Sequence, residues 1–153
     1  MSNQLHVPVS KLPAAEGLEL PKPETEGSAG MDLRAALPHG EERILGPGER
    51  CLVPTGLKMA LPKGVEAQIR PRSGLAYSRG ITVLNSPGTI DSDYRGELKV
   101  LLINHGHEPF AVTRGQRVAQ LVIRSYQRAT LVENGDLEGT PRGEGGFGHT
   151  GTQ

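Results

Sequence analysis

A chain of 153 residues fits one domain, and its 17 basic and 17 acidic side chains cancel, which excludes a nucleic-acid or membrane surface held by net positive charge. Glycine at 21 residues and proline at 12 punctuate it so densely that the longest run free of both is Gln116 to Asn134, which nearly excludes long helices. With three tyrosines, two phenylalanines and no tryptophan, the core must rest on Val, Leu, Ile and Ala, and a core that lean invites help from oligomerisation.

The first 27 residues carry Pro8, Pro13, Pro21 and Pro23 and read as an extended arm or edge strand. No charged-then-apolar leader opens the chain, and its single cysteine, Cys51, has no partner for an intrachain disulfide, so a reducing cytoplasm is the expected address. In SAGMDLRAA, Met31, Leu33 and Ala35 alternate with Asp32 and Arg34, as in a half-buried strand whose polar face is solvated or ion-paired. Cys51, in RCLVP, reads as core filling. Leu57, Met59 and Leu61, then Val65, Ala67 and Ile69, give two further strands.

PRSGLA, Pro71 to Ala76, predicts the one short helix, with Ser73 as its cap and Leu75 to Arg79 free of breakers. The same residues form a compact donor set for a phosphate chain: Arg72 forks onto oxygens, Ser73 donates, and Gly74 lets backbone approach. The segment NSPGTIDSDYRGELKVLLIN, Asn85 to Asn104, reads as a β-hairpin whose loop displays Asp91, Asp93, Tyr94 and Arg95. Loop carboxylates are often merely solvated. Asp91, however, follows apolar Ile90 where strand gives way to loop, a position from which a carboxylate can take a proton from water. A carboxylate is a weak base, so position and electrophile must do most of the activation.

Leu98 to Ile103 and Val118 to Ile123 are apolar on both faces, which suits strands covered by a second layer or another subunit. His105 and His107 have no third ligand nearby in sequence and read as a surface turn. Gln120 interrupts an apolar strand, so its amide must be paired or aimed at a ligand. The tail RGEGGFGHTG, Arg142 to Gly151, sets five glycines around Arg142 and Phe147. It is either a frayed end or a flap that orders over an anionic ligand. Many short strands about ten residues apart make the chain all-β, a sandwich, jelly roll or barrel; a parallel α/β sheet would need crossover helices for which the punctuation leaves no room.

The segments AGMDLRAA, PRSGLA, NSPGTIDSDYRGEL, RVAQLVI and RGEGGFGHTG stand in the order and approximate spacing of the five motifs of the trimeric dUTPases, which the chain resembles from about Ala29 to Gly151. The resemblance implies a jelly-roll β-barrel over residues 1–140, assembled as a homotrimer with active sites at subunit interfaces. Residues 141–153 would be a mobile glycine-rich flap that closes the site of another subunit. It implies hydrolysis of dUTP to dUMP and pyrophosphate, an activity that keeps uracil out of DNA and supplies dUMP for thymidylate synthesis.

By the same similarity Asp91 is the general base, Tyr94 packs on the deoxyribose and leaves no room for a 2′-hydroxyl, and the segment with Asn85, Thr89, Ile90, Asp91 and Lys99 reads uracil, mostly through backbone. Arg72, Ser73, Gly74 and Gln120 match phosphate-binding positions. Arg142 matches the grip on the terminal phosphate, Phe147 the ring that stacks on uracil, and Gly148 a backbone donor to phosphate. Glu144 and His149 depart from the Ser or Thr of many members. Mg2+ is expected through phosphate oxygens and waters with no protein ligand, and Asp32 would support it from behind those waters or support the interface. A dCTP deaminase of the same fold and a non-catalytic nucleotide-binding oligomer are the rivals; the complete fifth motif and the TIDSDYRG sequence count against them.

Overall fold

The computed structural model describes residues 4–151. Its strands are β1 (Val9–Lys11), β2 (Gly30–Arg34), β3 (Glu42–Leu45), β4 (Arg50–Pro54), β5 (Leu57–Met59), β6 (Val65–Arg70), β7 (Ile81–Val83), β8 (Gly88–Ile90), β9 (Lys99–Asn104), β10 (Phe110–Thr113) and β11 (Arg117–Ser125). One α-helix, α1 (Ser73–Arg79), and a 3-10 turn at Pro13–Ala15 complete the described elements. All strand pairs are antiparallel, in the orders β2-β11-β6-β8, β4-β9-β7, β1-β5 and β10-β3. The all-β architecture expected from the punctuation is present, and the proline-bearing start supplies an edge strand, β1, paired to β5.

The period of two explains which faces close on the core. In β6, Ala67 and Ile69 are buried while Glu66, Gln68 and Arg70 lie on the other face; in β9, Val100, Leu102 and Asn104 point inward. The core is as lean as the composition requires, with Leu33, Leu37, Leu45, Val53, Ile81, Leu98, Leu102, Val112 and Leu121 at its centre and Phe110 as its sole buried aromatic. Cys51 packs half-buried against it, and burial pushes its thiol pKa up against the opposing pull of Arg43, as suits a space-filling rather than a reactive thiol. The one fully buried amide, Asn104, donates to the carbonyls of Leu45 and Glu108, each at 2.8 Å, and accepts from the Gly106 N–H at 2.8 Å. Each such bond contributes about 1 kcal/mol net and together they pin β3, β9 and the turn before β10.

Two local expectations need correction. Arg72, not Ser73, occupies the position before the first turn of α1, and no side chain caps it. Ser73 is already helical, and the Gly80 that ends the helix adopts φ 67° where the chain presses against Gly106. The hairpin over residues 85–104 is not a two-stranded ladder either. β8 pairs with β6, whereas β9 pairs with β4 and β7. The direct return is from β7 to β9, and residues 84–98 form a long excursion that carries β8 into another sheet. The last described strand ends at Ser125, and His105 and His107 sit on an exposed turn. Among the described residues no helix is long and apolar enough to cross a membrane.

Candidate active site

The excursion after β8 builds the first half of the site. Ile90 closes β8 with its pairing to Ala67, so Asp91 is the first residue released from the ladder. Its carbonyl accepts the Tyr94 N–H at 3.1 Å, which turns the chain back. The Arg95 guanidinium donates to the carbonyls of Ser92 at 2.7 Å and Tyr94 at 3.0 Å, and the Tyr94 hydroxyl donates to the Glu97 carbonyl at 3.0 Å. The loop is therefore cross-braced. The Tyr94 ring lies across Gly96, where a Cβ would come within 2.3 Å of the phenolic oxygen.

Thr89, Ile90, Asp91, Tyr94 and Lys99 line one cleft of about 310 Å³, with Leu52 from β4 and Glu97 beside them. Lys99 and Glu97 pair at 3.7 Å on its rim. Five of the expected nucleoside residues thus converge. Asn85 does not line the cleft; its amide lies against Gly88 at the start of β8. Asp91 also borders an open groove of about 770 Å³, together with Lys63, Asp93, Arg95 and Arg128.

The second half lies on the polar face of the four-stranded sheet. Asp32, with only 9% of its side chain exposed, takes the Arg72 Nε–H on one oxygen at 3.1 Å and an Arg117 N–H on the other at 3.0 Å. Arg72 also donates to the Arg117 carbonyl at 3.4 Å, and Glu24 stands 3.5 Å from the Arg117 guanidinium. The hydrogen bond to Asp32, then the charges of Asp32 and Glu24, push the Arg117 pKa further above the usual arginine range. Gln120 faces Asp32 on β2 and Arg70 on β6, its amide oxygen over Gly30, where a Cβ would lie 3.1 Å away. Ser73 and Gly74 begin α1 in the open, and nothing stands within 4 Å of the space a Gly74 Cβ would fill.

None of Asp32, Arg72, Arg117 and Gln120 lines the cleft of Thr89, Asp91 and Tyr94. The tail joins neither: Arg142 donates to the Gly145 carbonyl at 2.8 Å, Phe147 is fully exposed with φ 48°, and Gly148 follows at φ 86°. The last two flap residues lie outside the described residues.

Leu52, Gly96, Glu97, Glu24 and Arg117 belong to these clusters and were not singled out from the sequence. Leu52 and Glu24 arrive from distant segments with no local signal. Arg117 had one, a charge opening the apolar run RVAQLVI, but strict alternation from Gln120 would have turned it toward the core.

A family model described as dUTPase matches residues 16–151. The deoxyuridine 5′-triphosphate nucleotidohydrolase of Mesorhizobium japonicum is 61% identical over 142 residues, 93% of this chain and 88% of that protein. That of Rhizobium meliloti is 61% identical over 143 residues, 94% of this chain and 89% of that protein. Among solved structures, the Staphylococcus bacteriophage 80alpha dUTPase with dUpNHpp is similar in fold, with TM-score 0.84 and 22% identity over 97% of this chain and 100% of its own. A dUTPase from phage phi11 of S. aureus, which coordinates a structural Mg(II) ion, gives TM-score 0.75 and 20% identity over 86% of this chain and 98% of its own. The family model's span and the identity of these relatives carry one conclusion: the chain belongs to the dUTPase family.

Proposed function

We propose that the chain hydrolyses dUTP to dUMP and pyrophosphate with Asp91 as general base. The observation that carries the role of Asp91 is its position at the released end of β8, in one cleft with Thr89, Ile90, Tyr94 and Lys99. β8 is the outermost strand of its sheet, so one edge of Gly88–Ile90 offers backbone N–H and C=O groups that no neighbouring strand takes. Those groups read uracil as a partner strand would. The Tyr94 ring, braced through its hydroxyl, packs on the deoxyribose and fills the space of a 2′-hydroxyl. Asp91 orients a water and takes its proton as the oxygen attacks the α-phosphorus; the P–O bond to the β-phosphate breaks and pyrophosphate carries away the electron pair.

Arg72, Ser73, Gly74 and Gln120 hold the triphosphate. Asp32 takes Arg72 only through Nε and the Arg117 carbonyl takes one terminal nitrogen by a long 3.4 Å contact, which leaves the other terminal nitrogen of that guanidinium to donate to phosphate oxygens. The separation of the two halves within one chain supports a homotrimer in which a nucleoside cleft meets a phosphate cluster from another subunit. The exposed tail supports the same reading: Arg142 grips the terminal phosphate, Phe147 stacks on uracil and Gly148 donates its N–H, all across a subunit boundary. Residues 141–153 then act as a flap on a body formed by the rest.

Magnesium fits this donor set as a companion of the substrate. Both Asp32 oxygens are engaged by guanidinium groups, which leaves phosphate oxygens and waters to hold the ion. When bound to the triphosphate, Mg2+ would supply charge neutralisation for the departing pyrophosphate. Arg72 and Gln120 orient the phosphate chain that carries it. A half-buried free thiol suits a reducing, cytoplasmic setting.

The test is a substrate panel. Purified protein with Mg2+ should release pyrophosphate from dUTP, at least about a hundredfold faster than from dTTP or UTP, because the cleft must discriminate by a clash or an unpaired group rather than by a lost contact. Ammonia released from dCTP, or tight dUTP binding without turnover, would replace this reading with one of the two rivals.

A further inference from the structure

Arg117 faces the phosphate cluster because of a defect in its own strand. β11 pairs with β2 as Gln120 to Asp32 and Ala119 to Leu33, and then skips a residue, so that Arg117 rather than Val118 stands opposite Arg34. Without that bulge Arg117 would share the core face of Ala119 and Leu121, both buried. With it, Arg117 moves to the face of Asp32, Arg34 and Gln120, and Val118 is buried instead. A bulge that exchanges a valine for an arginine on a polar face re-aims one side chain. What it is aimed at is Asp32.

We propose that Arg117 is a positioning residue that fixes Arg72 for the triphosphate, acting from both its side chain and its carbonyl. Asp32 would by itself be a carboxylate shared between Arg72 and solvent. The Arg117 guanidinium occupies its second oxygen at 3.0 Å, so the first is left to the Arg72 Nε–H at 3.1 Å, and the Arg117 carbonyl takes one terminal nitrogen of Arg72 at 3.4 Å. Two contacts, Nε to Asp32 and one terminal nitrogen to the Arg117 carbonyl, then set the plane of the Arg72 fork and leave its other terminal nitrogen for phosphate. Glu24, 3.5 Å from the same Arg117 nitrogen that donates to Asp32, gives that guanidinium a second carboxylate. The inference rests on the reading of Arg72 as a phosphate-binding residue. A guanidinium whose plane is already fixed loses less freedom on gripping phosphate, so the arrangement should strengthen triphosphate binding without touching the nucleoside.

The experiment is a double-mutant cycle on the full-length protein, reading affinity for dUpNHpp with Mg2+ and for deoxyuridine by calorimetry. Arg117→Gln should weaken dUpNHpp binding about tenfold while leaving deoxyuridine within about twofold, and in an Arg72→Gln background it should cause no further loss, as coupled neighbours require. Arg117→Lys, which keeps a charged donor for Asp32, should restore most of the affinity. If Arg117→Gln weakens dUpNHpp equally in both backgrounds, or not at all, or weakens deoxyuridine as much, the positioning role is wrong while Arg72 keeps its own. If Arg72→Gln alone leaves dUpNHpp affinity unchanged, the phosphate-binding reading of Arg72 fails and this inference fails with it. Should Arg117→Gln not fold, Arg117→Met carries the same cycle.

Discussion

Tyr94 owes its place to a residue that contacts no substrate. The ring lies where a Cβ on Gly96 would be, 2.3 Å from the phenolic oxygen, and the hydroxyl reaches past to the Glu97 carbonyl. A methyl group at 96 would push the far end of one exposed side chain, which is inexpensive for the fold and, on the proposed role of the ring as the sugar screen, costly for selectivity. Gly96→Ala should therefore leave the melting temperature nearly unchanged and reduce the preference for dUTP over UTP about tenfold or more, measured as the ratio of kcat/KM values. An unaltered ratio would mean that the ring does not screen the 2′ position. Asp32 makes the complementary point: an alternating strand announced its face, and whether that face was solvated or paired depended on Arg72 and Arg117, 40 and 85 residues away.

At the scale of elements, the alternating runs at 31–35, 57–61 and 65–69 were legible because inward and outward positions follow from a period of two. The short helix was legible too, since only one stretch between breakers had both a start and room. Strand pairing was not. The residues around DSDYRG have the composition of a hairpin, yet β8 finds β6 and β9 finds β4 and β7, choices that depend on which apolar faces meet across the whole barrel. The bulge that turns Arg117 outward was hidden for the same reason, because it exists only relative to β2.

The tail is the element whose role is most separable. Ending the chain after Pro141 removes no strand, since β11 closes at Ser125. Such a truncation should preserve the oligomer and the nucleoside cleft and lower kcat/KM for dUTP at least about a hundredfold, by loss of a closed, water-excluding site. Full activity would assign the glycine-rich segment to a plain terminus.

For the molecule as a whole, composition foretold a lean core, and the structure spends its apolar residues accordingly, with a single buried phenylalanine. An apolar cleft of about 400 Å³ stays open among Leu5, Val7, Leu20, Met31, Leu121 and Ile123, and Leu52, Leu84 and Ile44 are exposed elsewhere, apolar surface of the kind that the proposed trimer would cover. The candidate site was legible as motifs in order and illegible as a place, because nucleoside cleft, phosphate cluster and tail do not meet within one chain. On the proposed function, their meeting requires an assembly, in which Asp91 would be the group that acts on the water.

The most direct measurement is pyrophosphate release from dUTP by Asp91→Asn, alongside the affinity of the same variant for dUpNHpp. Asparagine keeps the size and hydrogen-bonding reach of the carboxylate and removes its basicity, so turnover should fall by at least about 10² while affinity stays within about threefold. Undiminished release by Asp91→Asn would contradict the account at its centre.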